Sequence, residues 1–144
     1  MIEKKQEKIK LNLNEDNRKL QSMTPQEMLV WGYETFGNHF AITTSFGIQS
    51  SVLLHMVSKS SLKDKVTIFW IDTGYLPSET YHYAEKLIND LSLNIEVLQS
   101  KLSPARMESL HGKLWDTNNA SDLDKYHEIR KIKPLENALE KNDI

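Results

Sequence analysis

Three short apolar segments, each followed by a helical pattern, constrain the fold of this chain more than any other feature. Their apolar and β-branched side chains predict buried strands at residues 40–44, 66–71 and 94–98. Helical patterns follow these strands at residues 50–58, 77–91 and from 103 onwards. Strands that alternate with helices are typically parallel and joined by crossover connections. We therefore expect an α/β protein with a doubly wound parallel sheet, incomplete because it has only three strands.

The ends of the chain predict helices. Residues 1–23 are polar with a weak helical pattern, which predicts a helical arm ahead of a single domain at residues 24–144. Thr24 and Glu27 stand at capping-box spacing around Pro25, so a helix should begin there. Residues 121–144 also have a helical pattern, and we expect it to be interrupted before Pro134.

Composition excludes several classes of protein. A chain of 144 residues with 39% hydrophobic and 26% charged residues is typical of one folded domain and not of a disordered chain. No apolar stretch is long enough to span a bilayer, so we predict no membrane association. The formal net charge of −2 argues against nucleic acid as a partner. The first ten residues lack the apolar core of a signal peptide, which favours the cytoplasm.

The chain contains no cysteine, which removes disulfides, thiolate metal sites and thiol chemistry from these residues. The five histidines stand apart from one another in the sequence. The best candidate for a metal site is the group Asp122, Asp124 and His127. We favour the interpretation that these are solvated residues of a helix. We predict neither a metal nor a cofactor.

The first unusual segment lies where the first strand turns into a helix. It contains one glycine, an amide and hydroxyl side chains, in the order Thr44, Ser45, Phe46, Gly47, Ile48, Gln49, Ser50, Ser51. Free N–H groups at a helix start favour an anion, and Gly47 permits close approach of the backbone. The segment lacks the Gly-Lys-Ser/Thr of a Walker loop. Two interpretations are open, an anion site or a helix that Ser45 and Gln49 merely cap.

The second unusual segment follows the second strand. It runs Asp72, Thr73, Gly74, Tyr75, Leu76, Pro77, Ser78, Glu79, Thr80, Tyr81. Gly74 permits a turn that other residues resist. Tyr75 and Tyr81 offer flat walls or hydroxyl groups to a base or a ribose. A turn followed by a capped helix is the alternative interpretation.

Taken together, these two segments resemble the phosphoadenosine phosphosulfate (PAPS) reductase family. Gly112-Lys113-Leu114-Trp115 and Ile129-Arg130-Lys131-Ile132-Lys133-Pro134-Leu135 follow in the same order and spacing, so the resemblance runs from about residue 36 to residue 144. The family belongs to the adenine nucleotide α-hydrolase-like superfamily with a Rossmann-like fold. Its members reduce PAPS to sulfite and adenosine 3′,5′-bisphosphate with thioredoxin or glutaredoxin, and the resemblance implies these partners, sulfate assimilation and cysteine biosynthesis.

The resemblance also implies the substrate-binding residues. The phosphosulfate end would be held by the first segment, and the nucleotide would lie along the second. The implied residues are Ser45, Phe46, Gly47, Ile48, Gln49, Ser50, Asp72, Thr73, Gly74, Tyr75 and Glu79. Arg130, Lys131 and Lys133 would bind the 3′-phosphate or the sulfate, although a solvated helix face is the alternative for such a cluster.

Two substitutions relative to similar proteins bear on the substrate. Superfamily ATP pyrophosphatases have an aspartate where Gln49 stands, so a magnesium contact is missing here and ATP cleavage is not expected. Reductases of adenylyl sulfate carry paired cysteines for an iron–sulfur cluster where Tyr126 and His127 stand. The resemblance therefore favours the 3′-phosphorylated substrate.

The resemblance implies a catalytic cysteine that this chain lacks. The family's thiolate attacks the sulfur of PAPS from a carboxyl-terminal tail, so we assign no catalytic residue among these 144. We expect the chain to be part of a longer reductase, truncated near Ile144 and inactive alone. The alternatives are a non-catalytic sulfonucleotide-binding module and an ATP pyrophosphatase or adenylyl transferase of the superfamily. A homodimer is expected by resemblance.

Overall fold

A computed structural model describes residues 11–144, and its centre is a parallel sheet of three strands. These are β1 (Ala41–Thr44), β2 (Thr67–Asp72) and β3 (Ile95–Gln99). They pair in the order β1-β2-β3, with Ile42 opposite Ile68 and Ile68 opposite Ile95. Each strand lies within one residue of its predicted position, and the parallel pairing is confirmed.

The described residues contain seven α-helices. They are α1 (Leu13–Leu20), α2 (Pro25–Phe36), α3 (Ile48–Ser58), α4 (Ser78–Leu91), α5 (Pro104–His111), α6 (Ala120–His127) and α7 (Lys133–Asn142). Short 3₁₀ turns lie at Gly37–His39 and Leu114–Asp116. Helix α1 falls within the predicted amino-terminal arm, of which residues 1–10 lie outside the described residues.

The start of α2 shows how local sequence fixes an element. The amide of Glu27 donates to Thr24 Oγ1 at 3.3 Å, and the amide of Thr24 donates to Glu27 Oε2 at 2.7 Å. This reciprocal pair satisfies backbone donors that a helix leaves free at its amino terminus. The predicted capping box is confirmed.

The two faces of the sheet are covered by different helices. On one face Ile42, Ile68 and Trp70 pack against Leu54 and Val57 of α3 and against residues of α2 and α4. On the other face Phe69 and Leu98 pack against Ala138, Leu135 and Leu139 of α7. Helices on both faces of a parallel sheet give the layering of a doubly wound fold, and the predicted fold class is confirmed.

The predicted interruption before Pro134 takes an unexpected form. The chain remains helical from Ala120 to Asn142, but Glu128–Ile132 forms a π-helical turn. The amide of Lys133 bonds to the carbonyl of Glu128, five residues back. Pro134 follows this turn and lies in the first turn of α7. A proline is tolerated there because the first N–H groups of a helix have no partner within the helix. None of the helices in residues 11–144 is long and apolar enough to cross a bilayer.

Candidate functional site

Both unusual segments emerge from the same edge of the sheet. Thr44, the last residue of β1, lies opposite Trp70 of β2 in the parallel register. The segment after Thr44 and the segment after Asp72 are therefore neighbouring loops at the carboxyl ends of adjacent strands. Contact between the Phe46 and Trp70 rings, with centroids 4.8 Å apart, joins the first loop to β2. Ligands of open α/β sheets bind at this edge.

The first loop leads into the amino terminus of α3. Gly47 precedes α3, and within residues 11–144 neither Ser45 nor Gln49 makes a side-chain hydrogen bond. These two side chains therefore do not cap the helix. Ser45, Gly47, Ile48 and Gln49 are exposed, and Ser50 is half-buried. Free amides and free hydroxyl or amide side chains at a helix start can bind an anion.

Phe46 has a different place from its neighbours in this loop. Its ring is 4% exposed and packs edge-on against Trp70, while its amide donates to Thr44 Oγ1 at 3.2 Å. Its φ of 54° lies in the left-handed region, which costs a non-glycine residue about 1 kcal/mol or more. Burial of the ring offsets that cost and fixes the shape of the loop. Phe46 thus offers a ligand neither its ring nor its amide.

The second loop is organised around the carboxylate of Asp72, which is 5% exposed. Oδ1 accepts from the amide of Gly74 at 2.8 Å and from the hydroxyl of Tyr81 at 2.6 Å. Oδ2 accepts from Nε2 of Gln99 at 2.6 Å. These contacts join the ends of β2 and β3 to the start of α4. Asp72 therefore holds the loop in shape by accepting three hydrogen bonds.

The surroundings of Asp72 shift two pKa values. Burial alone raises the pKa of Asp72, but hydrogen bonds from Tyr81, Gln99 and Gly74, together with the positive charge of Arg130, outweigh it and lower that pKa below its ordinary 3.8. The pKa of Tyr81 is raised to about 12, by burial first and by its hydrogen bond to Asp72 second. The pair is thus an ionised carboxylate with a neutral phenol as donor.

We expect stability to fall in acid through Asp72. Because its pKa is lower in the folded chain than in the unfolded chain, ionised Asp72 stabilises the fold above about pH 3.8. That contribution is lost as the pH falls through the lower, folded pKa. Urea unfolding of the chain and of Asp72→Asn between neutral pH and pH 3 checks this: the advantage of the unchanged chain should shrink below about pH 4. An advantage that stays constant across this interval contradicts the assignment.

Tyr75 lies in an aromatic cluster that extends the second loop. We call Tyr75, Trp115, Tyr126 and His127 the aromatic cluster; the Tyr75 and Trp115 centroids are 4.3 Å apart. The Tyr75 hydroxyl donates to Glu108 Oε1 at 3.0 Å. Burial first, and then Glu108, raise the pKa of Tyr75 to about 12. The phenol is therefore a neutral donor, with one face of its ring packed in the cluster.

The basic group divides into one buried and two exposed residues. Arg130 is 2% exposed and its guanidinium donates to the carbonyls of Thr73 and Leu102. Lys131 and Lys133 are exposed, and Lys133 Nζ lies 3.5 Å from Glu128 Oε1. Lys133 also lines a cavity of about 500 Å³ beyond the end of β3, with Ser100, Lys101 and Glu136. The three cations, which looked equivalent in the sequence, thus have different environments.

The structure brings most of the predicted residues to one edge of the sheet. Glu79 is exposed in the first turn of α4, where Ser78 Oγ lies 3.2 Å from its Oε2. A carboxylate there favours a hydroxyl donor over a phosphate. In the part of the chain that the structure describes, no group of three or more acidic or histidine residues is placed to hold a metal ion.

Sequence reasoning missed Tyr126 of the aromatic cluster and four further residues of this edge. Gln99 and Leu102 contact the second loop or its arginine, and Glu108 and Trp115 contact Tyr75. Gln99 had a usable signal, because it ends the third strand and must therefore lie at the same edge as Asp72. The other three follow β3 in irregular or helical segments whose placement only the fold determines.

Comparison with known proteins identifies the family. A family model described as the phosphoadenosine phosphosulfate reductase domain matches residues 39–144, which include both loops and the basic group. The chain belongs to this family. The resemblance inferred from the two loops is confirmed.

The curated proteins that this chain matches are named phosphoadenosine 5′-phosphosulfate reductase. A phosphoadenosine 5′-phosphosulfate reductase of Synechocystis is 46% identical over 130 residues, which cover 90% of this chain and 51% of the relative. One of Vibrio cholerae is 38% identical over 134 residues, or 93% of this chain and 52% of that protein. The chain thus spans about half the length of the curated relatives it matches.

A solved structure of the family has the same fold. The phosphoadenylyl-sulfate reductase of Candida auris, crystallised as a phosphate complex, superposes with a TM-score of 0.76 and 29% sequence identity. The match covers 99% of this chain and 66% of that one. The sheet and helices described above therefore match part of the fold of that solved reductase.

Proposed function

We propose that this chain supplies the nucleotide-binding part of an enzyme that reduces PAPS to sulfite and adenosine 3′,5′-bisphosphate. The observation that carries the proposal is the parallel register of β1 and β2, which makes the Ser45–Ser50 and Asp72–Tyr75 loops neighbours. Membership of the PAPS reductase family supports the choice of substrate. Thioredoxin or glutaredoxin is the proposed reductant, by the same resemblance.

The two loops would divide the work of binding. The free amides at the start of α3, with Ser45, Gln49 and Ser50, would bond the phosphosulfate oxygens. The second loop, with a shape fixed by Asp72, would support the nucleoside, and Glu79 would accept from a ribose hydroxyl. Exposed Lys131 and Lys133 would supply positive charge to the 3′-phosphate.

The thiol chemistry of the family requires a residue that these 144 do not contain, since none is cysteine. A thiolate attacks the sulfur of PAPS, which breaks the bond from that sulfur to the phosphate oxygen and leaves a thiosulfonate. A second thiol then releases sulfite and forms a disulfide. We expect no sulfite from PAPS and reduced thioredoxin when this chain is the only other protein present. A homodimer and a cytoplasmic location remain predictions.

Calorimetric titration tests the proposal. We expect the chain to bind adenosine 3′,5′-bisphosphate in buffer with EDTA. Gln49 stands where an ATP site would have a magnesium-binding carboxylate, so binding should not require magnesium. Binding should weaken as salt is added, since the ligand is held by charge and amide dipoles. Failure to bind this nucleotide, or release of pyrophosphate from magnesium-ATP, would overturn the proposal.

A further inference from the structure

Arg130 is the most deeply buried charged residue of the site. It is 2% exposed, and in residues 11–144 no carboxylate lies within salt-bridge distance of its guanidinium. Nε donates to the carbonyl of Thr73 at 2.6 Å, Nη2 donates to the same carbonyl, and Nη1 donates to the carbonyl of Leu102. A buried cation persists only where such bonds compensate its lost hydration.

The partners of Arg130 come from three separate segments. Thr73 follows β2, Leu102 follows β3, and Arg130 itself lies in the π-helical turn Glu128–Ile132. A π turn rotates the side chains after it relative to an α-helix, and such turns are frequent at functional sites. One guanidinium therefore joins both strand ends to the carboxyl-terminal helices.

The second loop is packed directly against this guanidinium. Its carbon lies 5.5 Å from the centroid of the Tyr75 ring, within cation–π range. At Gly74, where φ is 75°, an added Cβ would stand 2.8 Å from Arg130 Nη2 and 2.8 Å from Pro104 Cγ. Glycine at this position thus allows the backbone to lie on the arginine.

We propose that Arg130 is a positioning residue, which fixes the Asp72–Tyr75 loop in the shape that receives the nucleotide, and that it makes no direct contact with phosphate. This inference rests on the proposed function. It replaces the phosphate contact that the sequence suggested for Arg130, and leaves the 3′-phosphate to Lys131 and Lys133. Nε, Nη1 and Nη2 of the guanidinium each already donate a hydrogen bond to a carbonyl oxygen.

The test compares how Arg130→Lys and Arg130→Met bind adenosine 3′,5′-bisphosphate at several salt concentrations. We expect the loss of the planar fork to weaken binding by about tenfold or more in both variants, because a displaced loop misaligns the ligand. The slope of log affinity against log salt should stay that of the unchanged chain, since no ligand-contacting charge is lost. A shallower slope in Arg130→Met would show a direct phosphate contact and overturn the proposal.

Gly74→Ala should displace the same loop without changing any charge, because the added Cβ would collide with Arg130 and Pro104. We expect it to weaken binding by a similar factor, and the double variant with Arg130→Met to be no weaker than either single variant. Losses that multiply in the double variant contradict a shared mechanism. Arg18→Met, which removes an exposed arginine of α1, is the matched control and should bind normally.

Hydrogen exchange separates this inference from the proposed function. The amides of Gly74 and Tyr75 donate within the loop, to Asp72 Oδ1 and Thr73 Oγ1. In Arg130→Met these two amides should exchange at least about tenfold faster, while those of α2 keep their rates. If the unchanged chain does not bind the nucleotide, the proposed function fails. The exchange rates then decide by themselves whether Arg130 positions the loop. Unaltered rates at both amides, or equal acceleration throughout the chain, would overturn the positioning role.

Discussion

Asp72→Ala is expected to lower the free energy of unfolding by about 3 kcal/mol or more. The substitution leaves the amide of Gly74, the hydroxyl of Tyr81 and the amide group of Gln99 without their acceptor. It also removes a negative charge that interacts with the positive charge of buried Arg130. Urea unfolding followed by circular dichroism measures the loss.

A matched control separates the network from the simple loss of an aspartate. Asp64 is exposed in the turn before β2, and its substitution by alanine should change stability by no more than about 0.5 kcal/mol. Equal losses for Asp72→Ala and Asp64→Ala would mean that the buried carboxylate does not organise the loop.

Gln49→Glu is expected to weaken binding of adenosine 3′,5′-bisphosphate by about tenfold or more. Gln49 is the second residue of α3, so the new carboxylate would face the anion that the helix start is proposed to hold. Like charges within about 5 Å repel by about 1 kcal/mol even in water, and by more where solvent is partly excluded. Titration calorimetry on both chains gives the ratio of affinities.

The same substitution should affect stability in the opposite direction. A carboxylate in the first turn of a helix typically stabilises it by about 0.3–1 kcal/mol. Weaker binding with a raised melting temperature therefore separates repulsion at the site from damage to the fold. Val52→Glu, at an exposed position one turn further along α3, is the control and should bind nearly as well as the unchanged chain. Equal losses for the two variants would argue against a site at the start of the helix.

The strands and the two loops were predictable because their signals are local. The run from Val66 to Ile71 is apolar except for Thr67 and rich in β-branched and aromatic residues, which favours a strand buried on both faces. Once the strands are parallel, the residues that follow each of them must meet at one edge. The position of the candidate site therefore followed from the fold class and from the unusual composition of residues 45–50 and 72–81.

The roles of Arg130 and Phe46 were not predictable in the same way. Helical periodicity assigns side chains to faces at 3.6 residues per turn, and the π turn at Glu128–Ile132 breaks that period. Arg130, which lies within this turn, is buried, whereas its neighbour Lys131 is exposed, although the two looked equivalent in the sequence. Phe46 adopts a positive φ because the contact of its ring with Trp70 outweighs a local penalty.

The aromatic cluster depends on contacts between distant segments. Trp115 lies in a 3₁₀ turn after α5, and Tyr126 lies near the end of α6, yet both pack on Tyr75. Nothing in the spacing of these residues indicates that they meet. Their contact follows from the way in which Arg130 and Glu108 hold the segments after β3 against the second loop.

The central claim, that one nucleotide contacts both loops, is tested most directly by amide NMR of the isotope-labelled chain during titration with adenosine 3′,5′-bisphosphate. The account predicts that the amides of Gly47, Ile48 and Gln49 and those of Gly74 and Tyr75 shift together, with one dissociation constant. Shifts confined to the cavity beyond β3 that Lys133 lines, or shifts in one loop alone, would contradict it.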